Sequence, residues 1–193
     1  MTNEVQQAIE ILNQGGIVVF PTDTAFGVGC RMDDRQAVER LLKLKKRPKG
    51  QAVPVLVDSL EMAQKYLLPL QDRVLELMKK YWPGALTIVL PCKTEMVPSL
   101  VRGGGQTLGV RWPNHPVVQK IIKGVGVPIL GPSANFHGDP TPYKFSDLNP
   151  ELLEQVDFVL KGEESRWHKP STVIDCSQKP WKIIRQGVIR INF

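Results

Sequence analysis

The sequence IVVFPTDTAFGVG, residues 17–29, starts as a buried apolar strand and then changes to small hydrogen-bonding residues. The same change follows the apolar run 127–130, which leads into Gly131-Pro132-Ser133-Ala134-Asn135. A third polar group, Pro170-Ser171-Thr172, opens the apolar run Val173-Ile174. Open α/β sheets form ligand pockets where strands end and side chains become polar. We therefore expect the three segments to meet in one pocket for an oxygen-rich ligand such as a nucleotide.

Along the whole chain, the apolar periodicity predicts strands that alternate with helices. Strands are expected at 17–20, 53–57, 86–90, 107–111, 127–130, 158–160, 172–174 and 182–184, with a further one at 188–191. Helices are expected after Asn3, after Asp33 or Asp34, after an Asp58–Glu61 capping box, over 71–81 and after Asn114. This order predicts an α/β fold with a twisted mixed β-sheet flanked by helices.

The composition is that of an ordinary globular chain. It has 193 residues, of which 42% are hydrophobic and 23% charged, so one domain spanning 1–193 is expected. No apolar run approaches the roughly 20 residues needed to span a bilayer, and the first residues lack the pattern of a signal peptide. We therefore expect a cytoplasmic protein without a membrane contact. Cys30, Cys92 and Cys176 match no disulfide or zinc pattern and are predicted to be reduced thiols.

The net charge of +6 favours a phosphate-bearing partner, either a nucleotide or RNA. Several motifs that would specify the chemistry are missing from the sequence. It has no P-loop and no GxSxG elbow, and Gly27-Val28-Gly29 fails as a dinucleotide fingerprint because Met32 takes the place of the third glycine. His115, His137 and His168 are too far apart for a metal pattern. The chemistry is therefore expected to depend on positioning and electrostatics rather than on a protein nucleophile.

Seven short segments in order identify a family resemblance. The chain is similar to the YrdC/TsaC family of threonylcarbamoyl-AMP synthases over nearly its whole length. The matching segments are residues 21–27, 45–48, 82–87, 110–116, 132–135, 170–175 and 185–187, with the sequences PTDTAFG, KKRP, WPGALT, VRWPNHP, PSAN, PSTVID and RQG.

The resemblance implies a fold and a reaction. The fold would be a single YrdC-like domain with a concave basic pocket. In the reaction, threonine, bicarbonate and ATP give threonylcarbamoyl-AMP and pyrophosphate, with Mg²⁺ bound through the ATP phosphates and no metal ligand expected from the protein. A separate transferase complex then uses the product to modify adenosine next to the anticodon of tRNA.

The resemblance also assigns residues to the site. Lys45 and Arg47, with Ser133 and Asn135, would hold the triphosphate and assist the transfer. The threonine contacts would be Thr24, Arg111, Gly131 and Ser171, and the ATP contacts Arg47, Gln51, Thr107, Ser133, Thr141 and Arg185.

Ordinary structural roles remain open for several of these residues. Lys45 and Arg47 could be a solvated helix end, because cations are favoured at a helix C-terminus. Ser133 and Asn135 could form a turn, and Arg111 could belong to a surface ion pair. Gln51 and Thr141 could likewise be ordinary loop residues.

Three positions depart from the family pattern. Phe26 stands where tyrosine is usual, His137 replaces a serine, and Leu56 stands where some relatives have a polar threonine contact. Two other functions stay open. The chain could be an RNA-binding module without synthase activity, or a carbamoyl-transfer relative that serves hydrogenase maturation.

Overall fold

The computed structural model describes residues 2–48 and 50–191, so the ends of the expected 1–193 domain lie outside the described residues. Seven α-helices occur in this part of the chain: α1 Thr2–Asn13, α2 Arg35–Leu44, α3 Leu60–Tyr66, α4 Asp72–Tyr81, α5 Ser99–Arg102, α6 Pro116–Val125 and α7 Pro150–Leu153. A 3₁₀ turn covers Phe145–Asp147.

The strands form two sheets. The first has the order β2-β1-β7, with β1 Val18–Phe20, β2 Gly27–Gly29 and β7 Phe158–Val159. The second has the order β6-β3-β5-β4-β8-β9, with β3 Val55–Leu56, β4 Leu86–Pro91, β5 Thr107–Arg111, β6 Ile129–Leu130, β8 Thr172–Asp175 and β9 Lys182–Arg185. Isolated bridges from Gly27 to Ser133 and from Arg31 to Ile129 join the sheets. Both contain parallel and antiparallel pairs, which confirms the mixed α/β architecture.

Helix α2 is explained by its N-terminal cap and by the spacing of its apolar residues. Asp34 caps α2, since its side chain accepts a hydrogen bond from the Ala37 backbone N–H. The buried face of α2 contains Ala37, Val38, Leu41 and Leu44, at the helical spacing that covers a core. The helix ends at Leu44, which places the next residues, including Lys45 and Arg47, on the loop beside the second sheet.

Three predicted helix caps are wrong. Asn3 lies inside α1. Ser59, rather than the Asp58–Glu61 box, caps α3 by accepting from the Met62 N–H. His115, rather than Asn114, occupies the N-cap of α6. For α3 and α6, the neighbouring polar residues offered more than one cap, and the final choice depends on how the preceding loop approaches the helix.

Two strand predictions also need correction. The expected strand 53–57 is reduced to Val55–Leu56, which begins directly after Pro54 and lies between β5 and β6. Residues 188–191 form no strand. The Thr172 hydroxyl accepts from the Ile189 N–H and donates to the Ile189 carbonyl, so a side chain takes the place of a strand ladder.

The three cysteines are free and buried, as predicted. Burial raises the pKa of the Cys30 and Cys176 thiols to about 12, so both stay protonated near neutral pH. In the part of the chain that the structure describes, no helix has the length and apolar character required to cross a membrane.

Candidate functional site

A cavity of about 480 Å³ lies where the polar strand ends meet. The loop after β1 contributes Thr22 and Thr24, the segment after β6 contributes Gly131 and Ser133, and the segment before β8 contributes Ser171. The structure thus brings together the three segments identified in the sequence. The volume is in the range of small-molecule sites.

Most of the predicted site residues line this cavity, and three do not. The lining includes Thr24, Arg47, Thr107, Arg111, Gly131, Ser133, Thr141, Ser171 and Arg185. Lys45, Gln51 and Asn135 lie outside the lining, and each is hydrogen-bonded to a residue of the lining.

Lys45 is a buried cation beneath the Ser133–Asn135 turn. Its Nζ donates to the carbonyl oxygens of Ser133 and Asn135, each at 2.5 Å, and lies 3.5 Å from Asn135 Oδ1. The residue is only 3% exposed. Burial, followed by the nearby charge of Arg47, lowers the pKa of Lys45 to about 8. The Lys45 ammonium therefore holds the backbone of the turn at the cavity wall, and a direct phosphate contact of Lys45 stays a prediction.

The turn above Lys45 is closed by its own side chains. Ser133 Oγ donates to Asn135 Oδ1 at 2.6 Å, and Asn135 Nδ2 donates to the Asp139 carbonyl at 2.7 Å. The Lys45 carbonyl also accepts from the His137 N–H. Ser133 is consequently held at the cavity wall, while Asn135 fixes the hydroxyl direction of Ser133.

Arg111 belongs to a buried ion pair rather than to a surface pair. Its Nη2 donates to Asp23 Oδ1 at 2.5 Å, its Nη1 donates to Thr24 Oγ1 at 2.7 Å, and its Nε donates to the Gly84 carbonyl at 2.9 Å. The side chains of Arg111 and Asp23 are 7% and 8% exposed. A guanidinium has five N–H groups, so two remain for a ligand in the cavity.

Asp23 is a residue that the sequence analysis missed as part of the site. The signal was present, because Asp23 lies between Thr22 and Thr24 in the polar segment that follows β1. An acidic side chain in a predominantly basic chain is a reasonable partner for a buried arginine. Which arginine it would contact could not be read from the sequence, since Asp23 and Arg111 are 88 residues apart.

Ser171 connects to two further side chains. Its Oγ lies 2.9 Å from Thr87 Oγ1 and accepts from Arg185 Nη2 at 3.0 Å. Arg185 Nε also donates to the Ser171 carbonyl at 3.1 Å. Thr87 lines the cavity and was the second residue missed, because its position in the apolar strand β4 gave no polar pattern.

Arg47 lies at the more open side of the cavity. Its Nη2 donates to the Ala52 carbonyl at 2.7 Å, and its Nε lies 3.4 Å from the Gln51 carbonyl. The backbone carbonyl of Gln51 is therefore the group that contacts Arg47, and Gln51 itself is exposed. Gly103, with a φ of +59°, packs on this loop, since a Cβ there would lie 2.5 Å from the Gly50 carbonyl oxygen.

The charges of the lining favour an anion. Arg47, Arg111 and Arg185 face the cavity, whereas Asp175 is the acidic residue in the lining. Burial lowers the pKa of each arginine, and all three remain cationic near neutral pH. Among residues 2–48 and 50–191, no cluster of His, Cys, Asp and Glu could hold a metal ion.

One wall of the cavity is apolar. Val89, Val173 and Ile184 come from the adjacent strands β4, β8 and β9, with Pro54 and Leu56 contributed by the segment around β3. Ile184 is 58% exposed although it is a large hydrophobic residue. A flat apolar wall beside three arginines can accept a planar ring at one end and phosphates at the other.

The chain matches a protein-family model. The Sua5, YciO and YrdC model, described as "Telomere recombination", covers residues 10–187. The threonylcarbamoyl-AMP synthase of Vibrio vulnificus strain YJ016 is 33% identical over 189 residues, which are 97% of this chain and 100% of the relative. The Bacillus subtilis strain 168 synthase is 31% identical over 186 residues, covering 96% of this chain and 54% of the relative.

Solved structures show the same fold. The Pyrococcus abyssi Sua5 structure with L-threonine has a TM-score of 0.89 and 33% identity, covering 95% of this chain and 54% of that chain. The Escherichia coli YciO structure has a TM-score of 0.87 and 29% identity, covering 97% and 91% of the two chains. The chain therefore spans about half the length of the Bacillus and Pyrococcus relatives and nearly the full length of the Vibrio and YciO proteins.

Proposed function

The chain belongs to the Sua5/YciO/YrdC family, and on this basis we propose that it is a nucleotidyltransferase that makes L-threonylcarbamoyl-AMP. The substrates are L-threonine, bicarbonate and ATP, and the second product is pyrophosphate. The observation that carries the proposal is the convergence of Arg47, Arg111 and Arg185 on one cavity with polar strand ends. The L-threonine complex of the Pyrococcus relative supports threonine as the amino acid.

The reaction has two bond-forming steps. The amino nitrogen of threonine forms a C–N bond with the carbon of bicarbonate, and water and one proton leave. A carbamate oxygen then bonds to the α-phosphorus of ATP, while the bond from that phosphorus to the pyrophosphate oxygen breaks. The second step requires in-line alignment and neutralisation of phosphate charge more than a strong base.

The chain's residues divide into two subsites. In the amino-acid subsite, Arg111 and the hydroxyls of Thr24 and Ser171 bind threonine, and Gly131 allows the backbone to approach it. The nucleotide subsite consists of Arg47, Ser133 and Arg185, with Thr107 and Thr141 on the wall and Gln51 behind Arg47. Lys45 and Asn135 support the nucleotide subsite by fixing the Ser133 turn.

Magnesium and the later use of the product follow from the same proposal. Mg²⁺ carried by the ATP phosphates would add charge neutralisation to that supplied by Arg47 and Arg185. The product passes to a separate transferase complex that modifies adenosine next to the anticodon of tRNA. We place this activity in the cytoplasm, where the three cysteines remain thiols.

The direct test is incubation of the protein with ATP, Mg²⁺, L-threonine and bicarbonate. Pyrophosphate release is measured together with mass spectrometry for threonylcarbamoyl-AMP. We expect product only when threonine and bicarbonate are both present, and a loss of at least about tenfold in kcat/KM for Ser133→Ala. Arg35→Ala is the control, because Arg35 is exposed and pairs with Glu39 on the surface. Pyrophosphate release that is independent of threonine would contradict the proposal.

A second candidate function is RNA binding by the loop before β8. Trp167 is 44% exposed, and the Arg166 guanidinium lies 4.8 Å from its ring centre. Lys161 and Lys169 are exposed on the same segment. An exposed aromatic ring beside Arg166 suits stacking on an unpaired base and contact with phosphates, although Glu163 and Glu164 are exposed on the same segment.

The RNA function is separable from synthesis by variants. Binding of a single-stranded RNA should weaken with salt and fall in Arg166→Ala/Trp167→Ala, yet survive Arg47→Ala and Asn135→Ala. Fluorescence anisotropy with a labelled oligonucleotide measures this. Equal loss in both sets of variants would rule out the loop as a separate RNA site.

A further inference from the structure

Two neighbouring hydroxyls lie at the boundary between the proposed subsites. Thr87 on β4 and Ser171 just before β8 are 4% and 5% exposed, and their hydroxyl oxygens are 2.9 Å apart. Leu86 and Thr172 are paired across the same parallel strands, so the sheet itself fixes this distance. Both side chains line the cavity.

A count of donors and acceptors shows what Thr87 contributes. A serine hydroxyl has two acceptor sites and one hydrogen. Arg185 Nη2 occupies one acceptor site of Ser171. When Thr87 donates into the other site, the hydrogen of Ser171 needs an acceptor elsewhere, and the cavity is where an oxygen of a bound amino acid would provide one. The Thr87 hydroxyl has no other hydrogen-bond partner within residues 2–48 and 50–191, which leaves its hydrogen available for Ser171.

Arg185 connects the same serine to the nucleotide side. Its guanidinium donates to both Ser171 Oγ and the Ser171 carbonyl, although the residue itself is exposed. An exposed arginine loses rotamer freedom when a ligand fixes it. An amino acid that fixes the Ser171 hydroxyl therefore lowers the cost of ordering Arg185 for a phosphate. The reverse must also hold, because coupling between two binding sites is reciprocal.

We propose that Thr87 is a positioning residue that couples the amino-acid and nucleotide subsites through Ser171 and Arg185. The inference rests on the proposed function for the identity of the two ligands. It goes further by assigning a role to Thr87 and by requiring that threonine and ATP bind cooperatively.

Calorimetry measures the coupling without catalysis. The dissociation constant of L-threonine is determined with and without saturating adenosine 5′-(α,β-methylene)triphosphate and Mg²⁺, for the wild type and for Thr87→Val. In this analogue a carbon bridges the α- and β-phosphorus atoms, so the bond that the proposed reaction breaks cannot be cleaved. We expect the nucleotide analogue to tighten threonine binding at least roughly fivefold in the wild type and less than about twofold in Thr87→Val. Thr87→Ser keeps the hydroxyl and should restore most of the coupling.

Controls separate this effect from misfolding. Thr94→Val removes a hydroxyl from an exposed loop and should leave the coupling unchanged. Thermal unfolding of Thr87→Val, a substitution of similar shape in a strand, reports whether the fold is intact. A structural defect would instead weaken the binding of threonine alone and of the nucleotide analogue alone.

The outcomes distinguish this inference from the proposed function. Unchanged coupling in Thr87→Val, or equal loss in Thr87→Val and Thr87→Ser, overturns the role of Thr87. Threonine and nucleotide binding with normal coupling, but no threonylcarbamoyl-AMP formed by the wild type, overturns the proposed reaction alone. Absence of threonine binding in the wild type overturns both.

Discussion

The two ends of the cavity hold their arginines in different ways. At the end that we propose binds the amino acid, Arg111 is buried and bonded to the side chains of Asp23 and Thr24 and to the Gly84 carbonyl. At the open end, Arg47 is half-buried and donates to backbone carbonyls only four and five residues further along the chain. The first arrangement is assembled from distant segments, whereas the second is local.

Burial explains the difference. A guanidinium removed from water needs a counter-charge and several acceptors, or it destabilises the fold. Arg111 therefore has its partners before any ligand arrives, and its geometry is already set. Arg47 remains partly hydrated, so phosphates can supply its counter-charge when they bind. The amino-acid end should consequently respond to mutation through stability, and the open end through affinity.

The largest expected effect is the loss of stability in Asp23→Ala. The substitution leaves the Arg111 charge buried without its partner, which should lower the free energy of unfolding by about 3–5 kcal/mol. Urea denaturation of the wild type and the variant measures the difference. Asp23→Asn, which keeps an acceptor but loses the charge, should lie between the two. A change below about 1 kcal/mol in Asp23→Ala would show that the pair is not buried in solution.

Lys45 lies only two residues before Arg47, yet it is buried like Arg111. It therefore tests whether burial, rather than position in the chain, decides how a cation is held. Its pKa is lowered to about 8 in the folded state, against an ordinary value of 10.5. Between these values the unfolded chain keeps the proton that the folded chain has released. Stability attributable to Lys45 should therefore rise with pH across this window, by about 3 kcal/mol in total.

The measurement for Lys45 is a difference between two proteins. Urea denaturation is followed from pH 7 to pH 10.5 for the wild type and for Lys45→Met, so that the titration of all other groups cancels in the difference. The stability of the wild type relative to Lys45→Met should increase with pH. A parallel pair of curves would indicate that Lys45 is solvated, as the alternative of an exposed helix end requires.

The two ends also differ in how far the sequence could predict them. Turn chemistry and strand ends were enough to bring Thr24, Ser133 and Ser171 to one cavity, because these signals are local. The ion pair of Asp23 with Arg111 and the contact of Thr87 with Ser171 join residues 88 and 84 positions apart. Such pairs depend on the strand order, which periodicity does not specify.

The same limit applies to the fold. Apolar runs located most strands, and Thr107–Arg111 has the predicted bounds. The short strand Gly27–Gly29 was not predicted, since two of its three residues are glycines that disfavour strands by themselves. It forms because Val28 pairs with Val19 and donates to the Pro132 carbonyl. Division of the strands into two sheets likewise follows from pairing between distant segments.

Gly131→Ala tests the part of the cavity wall between the two ends. Its expected effect on the free energy of unfolding is smaller than that of Asp23→Ala. An added Cβ would lie 2.7 Å from Leu56 Cδ1, and Leu56 is fully buried. We expect a loss of about 1–3 kcal/mol in stability and weaker threonine binding, since Leu56 must shift. In a Leu56→Ala background, the Gly131→Ala substitution should cost less stability than it does in the wild type. An equal cost in both backgrounds would show that the crowding is not with Leu56.

Of these variants, Arg47→Ala should change the free energy of unfolding least. It should nevertheless weaken ATP binding clearly. Its hydrogen bonds to the Gln51 and Ala52 carbonyls are at the surface, so the free energy of unfolding should change by less than about 1 kcal/mol. The affinity for ATP should fall about tenfold or more, because a charge-assisted bond to phosphate is lost, while the affinity for threonine alone should stay the same. Calorimetric titration with adenylyl imidodiphosphate and with threonine measures both. If Arg47→Ala weakened the two ligands equally, Arg47 would belong to the same preassembled unit as Arg111, and the distinction between a fixed and an adaptable end would fail.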